Sequence, residues 1–203
     1  MGKEIEIKFL IREDGINYFT EAFSNIFQLD KNDKYSVLKK ANSWVIGNGD
    51  VVTQGYISVN SAKNIISNYG IRPDFHIKEA RLREVYGKDM KSRYYFTLKS
   101  DGSMTRNEIE REISYDIFKQ YLVELSEKRI DKFRCCANFQ GLRGEFDVYM
   151  GRDLFVVEFE APSIEILNRI TPLGNDVTND PKYKNRNLAR DETHRSSHFW
   201  NKR

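Results

Sequence analysis

The chain predicts an α+β fold, mainly antiparallel β, with its strands closed into an eight-stranded β-barrel and helices packed outside. Three observations support this. Short segments that alternate polar and apolar residues recur through most of the 203 residues, and glycine-containing turns join them. Aromatic residues, which suit strands, make up 13% of the chain. About eight such strands suffice to close a barrel and remove its exposed edges.

The elements follow in order. MGKEIEIKFLI opens with Glu4, Glu6 and Lys8 alternating with Ile5, Ile7 and Phe9, so residues 3–11 predict a strand with one charged and one apolar face. Ile16, Phe19, Phe23, Ile26 and Phe27 recur at helical spacing and predict an amphipathic helix over 14–28. LDKNDK (29–34) is a loop. SWVIGNGDVVTQGYISV (43–59) suggests two strands around a glycine turn, and SAKNIISNYGIRPD (61–74) an irregular excursion. HIKEARLREVYG (76–87) alternates, and residues 92–114 predict two strands around the turn pair Asp101-Gly102. Ile117, Phe118, Tyr121, Leu122 and Leu125 mark a second amphipathic helix. Residues 130–161 predict three strands with turns near Gly141 and Gly151, and the tail from Pro162 looks helical around the loop TPLGNDVTNDPKY.

Bulk composition narrows the function classes. Hydrophobic content of 39% with 31% charged residues suits a globular chain, and the length suits a single domain over 1–203. A net charge of +3 argues against a nucleic-acid partner. There is no run of about 18 apolar residues, which argues against a membrane span. The polar start predicts no signal peptide, and the adjacent Cys135 and Cys136 cannot build a disulfide framework, so a cytoplasmic location is expected. A homodimer is a fair expectation.

The charge pattern carries the chemistry. Arg81 and Arg83 sit two apart, Lys99 ends an aromatic strand, and Arg106, Glu108 and Glu110 alternate. So do Lys132 and Arg134, Glu145 and Asp147, and Glu158 and Glu160. One such pair is ordinarily a solvated sheet face. On nearly every strand, with each pair mostly of one sign, the set instead points to acids and bases from different strands converging on one lumen. Lys8, Arg81, Arg83, Lys99, Arg106, Lys132 and Arg134 would embrace a polyanion, because guanidinium forks match phosphate oxygens. The carboxylates would hold hard divalent cations.

These residues resemble, in order, the motifs of the CYTH family, the triphosphate tunnel metalloenzymes. EIEIK matches the opening ExExK, VTQGYIS the second strand, ARLR the RxR strand and YYFTLKSDG the strand ending in lysine. RNEIEREI matches RxExE, KFR, EFDVY and VVEFE follow in family order, and DVTNDPKYKNRNLA (176–189) is similar to the C-terminal signature. The resemblance covers nearly the whole chain and implies a triphosphate tunnel working with Mg2+ or Mn2+. It implies metal ligands at Glu4, Glu6, Asp147, Glu158 and Glu160, and phosphate ligands at Lys8, Arg81, Arg83, Lys99, Arg106 and Arg134, to which Lys132 is added from the charge pattern. It gives Glu108 and Glu110 the orienting of those bases or of a water; with Glu4 and Glu6 they form the expected catalytic set.

The function this favours is metal-dependent hydrolysis of a small-molecule triphosphate, first of all inorganic tripolyphosphate to pyrophosphate and phosphate. Class IV adenylyl cyclase, thiamine or nucleoside triphosphatase, and a non-catalytic polyphosphate or nucleotide binding module are the alternatives. His194 and His198 are set aside as a polar tail rather than a metal pair. The cysteines are read as small buried residues, and Trp44 as a packing residue rather than a base-stacking platform. Tyr183 and Lys184, in the C-terminal signature, are placed within reach of substrate.

Overall fold

In the computed structural model, the strands put their paired charges inside a barrel and their apolar residues outside, beneath helices. The structure describes residues 2–14, 17–102 and 104–190, with the side chains of residues 2–4 outside that description. Ile16, His194 and His198 therefore lie outside the described residues.

Strands β1 (Gly2–Leu10), β2 (Asp50–Ile57), β3 (Glu79–Tyr86), β4 (Ser92–Lys99), β5 (Thr105–Ile113), β6 (Arg129–Phe139), β7 (Leu142–Tyr149) and β8 (Phe155–Glu160) form one antiparallel sheet. Their order is β5-β4-β3-β2-β6-β7-β8-β1, and β5 also pairs with β1, which closes the barrel. A two-residue strand, β9 (Asn175–Asp176), adds to the end of β1. Closure leaves the eight long strands no free edge.

Ile5, Ile7 and Phe9 of β1 join Phe146 of β7 and Val157 and Phe159 of β8 in an apolar cluster on the outer wall. Helix α1 (Asn17–Phe27) covers it with Phe19 and Phe23, and α2 (Lys34–Asn48) with Val37, Ala41 and Val45. A second cluster joins Leu82, Phe96, Leu98 and Ile109 to helix α3 (Val59–Asn68), α4 (Tyr115–Phe118) and α5 (Leu122–Glu127). A third joins Leu10, Tyr56, Ile130, Tyr149 and Val156 to Val177, Leu188 and Ala189 of the C-terminal segment. That segment contains α6 (Ile164–Leu167) and α7 (Asn185–Leu188).

Several local expectations need correction. Residues 43–48 are the end of α2, not a strand. Asp33 caps that helix by accepting from Ser36 N at 3.1 Å, and Val37, Ala41 and Val45 form a buried stripe at intervals of four. The stretch 61–74 is not irregular throughout. Ser58 accepts from Ser61 N at 2.9 Å and starts α3, which buries Ala62 and Ile65. The second amphipathic helix is broken by a 3-10 turn at Lys119–Tyr121. Trp44 packs edge-on against Phe23 and Phe146, so α2 belongs to the outer wall. Cys135 is buried as expected, but Cys136 is exposed. Among the described residues no helix is long and apolar enough to cross a membrane.

Candidate active site

The barrel encloses a cavity of about 1020 Å³. Side chains alternate faces along each strand, so the charge pairs seen in sequence reach it together. Lys8, Arg81, Arg83, Lys99, Arg106 and Arg134 line it, as do Glu6, Glu108, Glu110, Glu158 and Glu160. The backbone of Glu4 pairs with Arg106 across β1 and β5.

Each of these six bases meets an acid from another strand. Lys8 Nζ lies 2.5 Å from Glu158 Oε1 and also donates to the Tyr183 carbonyl at 3.1 Å. Arg106 donates to Glu6 Oε1 at 2.9 Å. Lys99 Nζ is 2.6 Å from Glu108 Oε2. Arg83 donates to both oxygens of Glu110, at 2.9 and 3.0 Å, while Thr97 Oγ1 donates to Oε2 at 2.8 Å. Arg81 NH2 donates to Thr97 Oγ1 at 3.2 Å. The Nε atoms of Arg81 and Arg83 are buried without a partner. A buried donor left unpaired is rare, and two beside one cavity suit an anionic ligand.

Arg134 is the hub of a second cluster. It donates from Nε to Asp147 Oδ1 at 2.7 Å, from NH2 to Asp147 Oδ2 at 2.6 Å and Glu158 Oε2 at 3.1 Å, and from NH1 to Glu145. Lys132 Nζ donates to Asp147 Oδ2 at 2.5 Å, and both side chains are wholly inaccessible. Among the predicted site residues whose side chains are described, Lys132 and Asp147 are the two that do not line the cavity. They sit behind Arg134. Asp147 engages both oxygens with Lys132 and Arg134, and its side chain is wholly inaccessible.

The electrostatics follow from this pairing. Burial opposes the Lys8 ammonium, but Glu158 and Glu6 outweigh it and raise its pKa. Burial likewise opposes the Glu158 carboxylate, yet Lys8, Lys132 and Arg134 hold it well below the usual carboxylate range. Burial also works against Glu110, and Arg83 and Arg81 pull it down. Burial and the neighbouring Arg134 push Lys132 down to about 8, against the attraction of Asp147.

The donor set fits a hard divalent cation in its chemistry. In the antiparallel register Glu6 lies opposite Glu160, and Glu145 opposite Glu158. Like charges directly across a strand pair are unfavourable unless a cation lies between them, and carboxylate oxygens are the ligands such ions take. Among the described residues no three acids already converge as a metal cage.

Sequence reasoning left several wall residues unassigned. Tyr56 is buried, lines the cavity and accepts at its hydroxyl from Gln54 Nε2 at 2.9 Å. Thr97, two residues before Lys99 on the same face, is fully buried behind the wall, where it contacts Arg81 and Glu110, and alternation alone could have found it. Glu145 and Arg143 also line the cavity, and alternate along β7 with Asp147.

No family model matches the chain. It is 32% identical to the inorganic triphosphatase of Nitrosomonas europaea over 117 residues, which cover 55% of this chain and 74% of that protein. The chain belongs to the CYTH family. The inorganic triphosphatase of Acetivibrio thermocellus is 28% identical over 195 residues, covering 94% of this CYTH chain and 95% of that protein. The crystal structure of an inorganic triphosphatase matches with a TM-score of 0.50 at 24% identity, over 94% of this chain and 97% of that one, which shows the shared barrel fold. CYTH triphosphatases generally depend on a metal.

Proposed function

We propose that this CYTH chain is one domain that hydrolyses triphosphates, with inorganic tripolyphosphate as the first substrate and Mg2+ or Mn2+ as cofactor. The carrying observation is the closed lumen in which six basic side chains from β1 and β3 to β6 meet carboxylates from β1, β5 and β8. Both curated relatives named above are inorganic triphosphatases, which supports the same reading.

The division of labour follows from the contacts. Arg81 and Arg83 present guanidinium edges to the lumen, and Lys8, Lys99, Arg106 and Arg134 surround it. Fixed cations of this kind bind phosphoryl oxygens and stabilise the charge that develops during transfer. Glu110, held by Arg83 and Thr97, orients the arginine pair; Glu108 does the same for Lys99. Glu6, Glu158 and Glu160, with Glu4, are the residues assigned to hold the metal. When bound, the metal polarises the phosphoryl group and lowers the pKa of an attacking water. Lys132 and Asp147 take a different part from the one their sequence pattern suggested: they hold Arg134 in place from behind.

A phosphate-release panel tests this. Tripolyphosphate, ATP, GTP, thiamine triphosphate and pyrophosphate are each supplied with magnesium, manganese or chelator. Metal-dependent release should be fastest from tripolyphosphate and should vanish in the Glu4→Gln, Glu6→Gln double variant. Pyrophosphate and cyclic AMP appearing from ATP would replace hydrolysis with cyclisation. Tight binding without turnover of any substrate would leave a binding module.

A further inference from the structure

A second pocket, of about 270 Å³, lies outside the barrel, between the segment that follows α3 and the outer face of β5. Ile109 and Arg111 contribute to it, and they alternate along β5 with Glu108 and Glu110, which line the lumen. Pocket and lumen therefore lie on opposite faces of one strand.

Its lining combines four kinds of group. Ile71 and Ile109 are buried and give an apolar floor. Tyr69 adds an aromatic ring, Arg72 and Arg111 bring two guanidinium groups, and Asp74 brings one carboxylate. Among the described residues, none of these three charges forms an ion pair, and Arg72 and Asp74 make no side-chain hydrogen bond. Arg111 NH1 donates to the Glu110 carbonyl at 3.0 Å, which holds the guanidinium against its own strand.

The backbone that carries these groups is fixed. Gly70, at φ 58°, turns the chain out of α3 in the left-handed region that glycine enters readily. Its N–H donates to the Ser67 carbonyl at 3.2 Å, and that of Ile71 to the Ile66 carbonyl at 2.9 Å. The Tyr69 hydroxyl accepts from Ser114 N at 3.0 Å, which ties the loop to the end of β5. Pro73 restricts the backbone between Arg72 and Asp74. A pocket held in this way spends little ordering entropy on a ligand, and its volume lies just below that of drug-sized sites.

A simple inorganic anion would meet both arginines, but it would also meet Asp74 and leave the apolar floor without a contact. A molecule with a carboxylate, an ammonium and an apolar body satisfies every group. We propose that this pocket binds a free α-amino acid with an apolar side chain. The carboxylate pairs with the Arg72 and Arg111 guanidinium groups, whose forks match it. The ammonium pairs with Asp74, and the side chain rests on Ile71 and Ile109 beside Tyr69.

Calorimetry with the full chain tests this. The probes are L-leucine and L-phenylalanine, with glycine, leucinamide, N-acetyl-leucine and orthophosphate as controls. One equivalent of leucine or phenylalanine should bind saturably, with a Kd below about 1 mM, and tripolyphosphate should not displace it. Leucinamide and N-acetyl-leucine should each bind about fivefold or more weakly, because each lacks one part-exposed charge pair. Glycine should bind more weakly as well, because it has no apolar body to bury. Arg72→Gln and Arg111→Gln should reproduce the loss seen with leucinamide, and Asp74→Asn the loss seen with N-acetyl-leucine. All three residues are exposed, so the variants should fold. No saturable binding of either amino acid would overturn the proposal, as would displacement by tripolyphosphate or orthophosphate, or variants that bind as wild type does. The tripolyphosphate KM should be unchanged in Arg72→Gln, and a chain that hydrolyses nothing would fail the triphosphatase reading while the outer pocket is still decided.

Discussion

Replacing Asp147 by Asn removes one buried charge and leaves two. The carboxylate is wholly inaccessible and accepts from Lys132 at 2.5 Å and from Arg134 at 2.7 and 2.6 Å. Arg134 would keep Glu145 and Glu158, but Lys132 would have no other carboxylate partner among the described residues. Breaking a buried pair from one side costs about 3–5 kcal/mol, because the remaining ion stays desolvated. For a chain of this size that corresponds to a fall in melting temperature of roughly 6–20 °C. Lys132→Met should cost much less, since Asp147 retains Arg134 and the replacement is apolar and of similar volume. The double variant should therefore melt above Asp147→Asn alone, and thermal melts of the four proteins, with and without chelator, measure the coupling. Additive losses, or a melt of Asp147→Asn within about 1 kcal/mol of wild type, would refute the buried-cluster account. A chelator that lowered wild type and not the variant would return Asp147 to the metal.

Glu110 has a pKa below the ordinary carboxylate value, so it contributes stability above the unfolded value that is lost as pH falls through the folded one. The acid limb of a melting-temperature profile should accordingly be shallower in Glu110→Gln than in wild type; an unchanged slope would contradict the pairing with Arg83 and Arg81. Arg83→Lys keeps the charge but loses the fork that meets both oxygens of Glu110, and should raise the tripolyphosphate KM by about tenfold with the fold intact. Gly144 faces aromatic rings: an added Cβ would meet Phe159 at 2.7 Å and Phe146 at 3.1 Å. Gly144→Ala should cost about 1–3 kcal/mol of stability in denaturant melts.

The two faces of each strand were legible in the sequence. Alternation is a local property: Ile5, Ile7 and Phe9 must leave the side that Glu6 and Lys8 occupy, whatever the strand pairs with. That is why eight strands, and six of the seven bases at the cavity wall, could be named from spacing. The order of motifs carried the family as well. Local signals also existed for α2 and α3, in the caps Asp33 and Ser58, but a glycine-rich stretch and a polar one obscured them.

Which acid meets which base was decided only by the tertiary structure. Arg134 joins Asp147 and Glu145 of β7 to Glu158 of β8, a set that depends on register and on closure of the barrel. The depth of a residue along the barrel is likewise not written in its alternation. Lys132 and Arg134 share one face of one strand, yet only Arg134 reaches the lumen, while Lys132 is sealed behind it against Asp147. The sequence by itself determined that the charges would face inward. Long-range strand pairing determined which acid sits beside which base and how deep each lies, because those contacts depend on register and on closure of the barrel, which alternation along one strand does not encode.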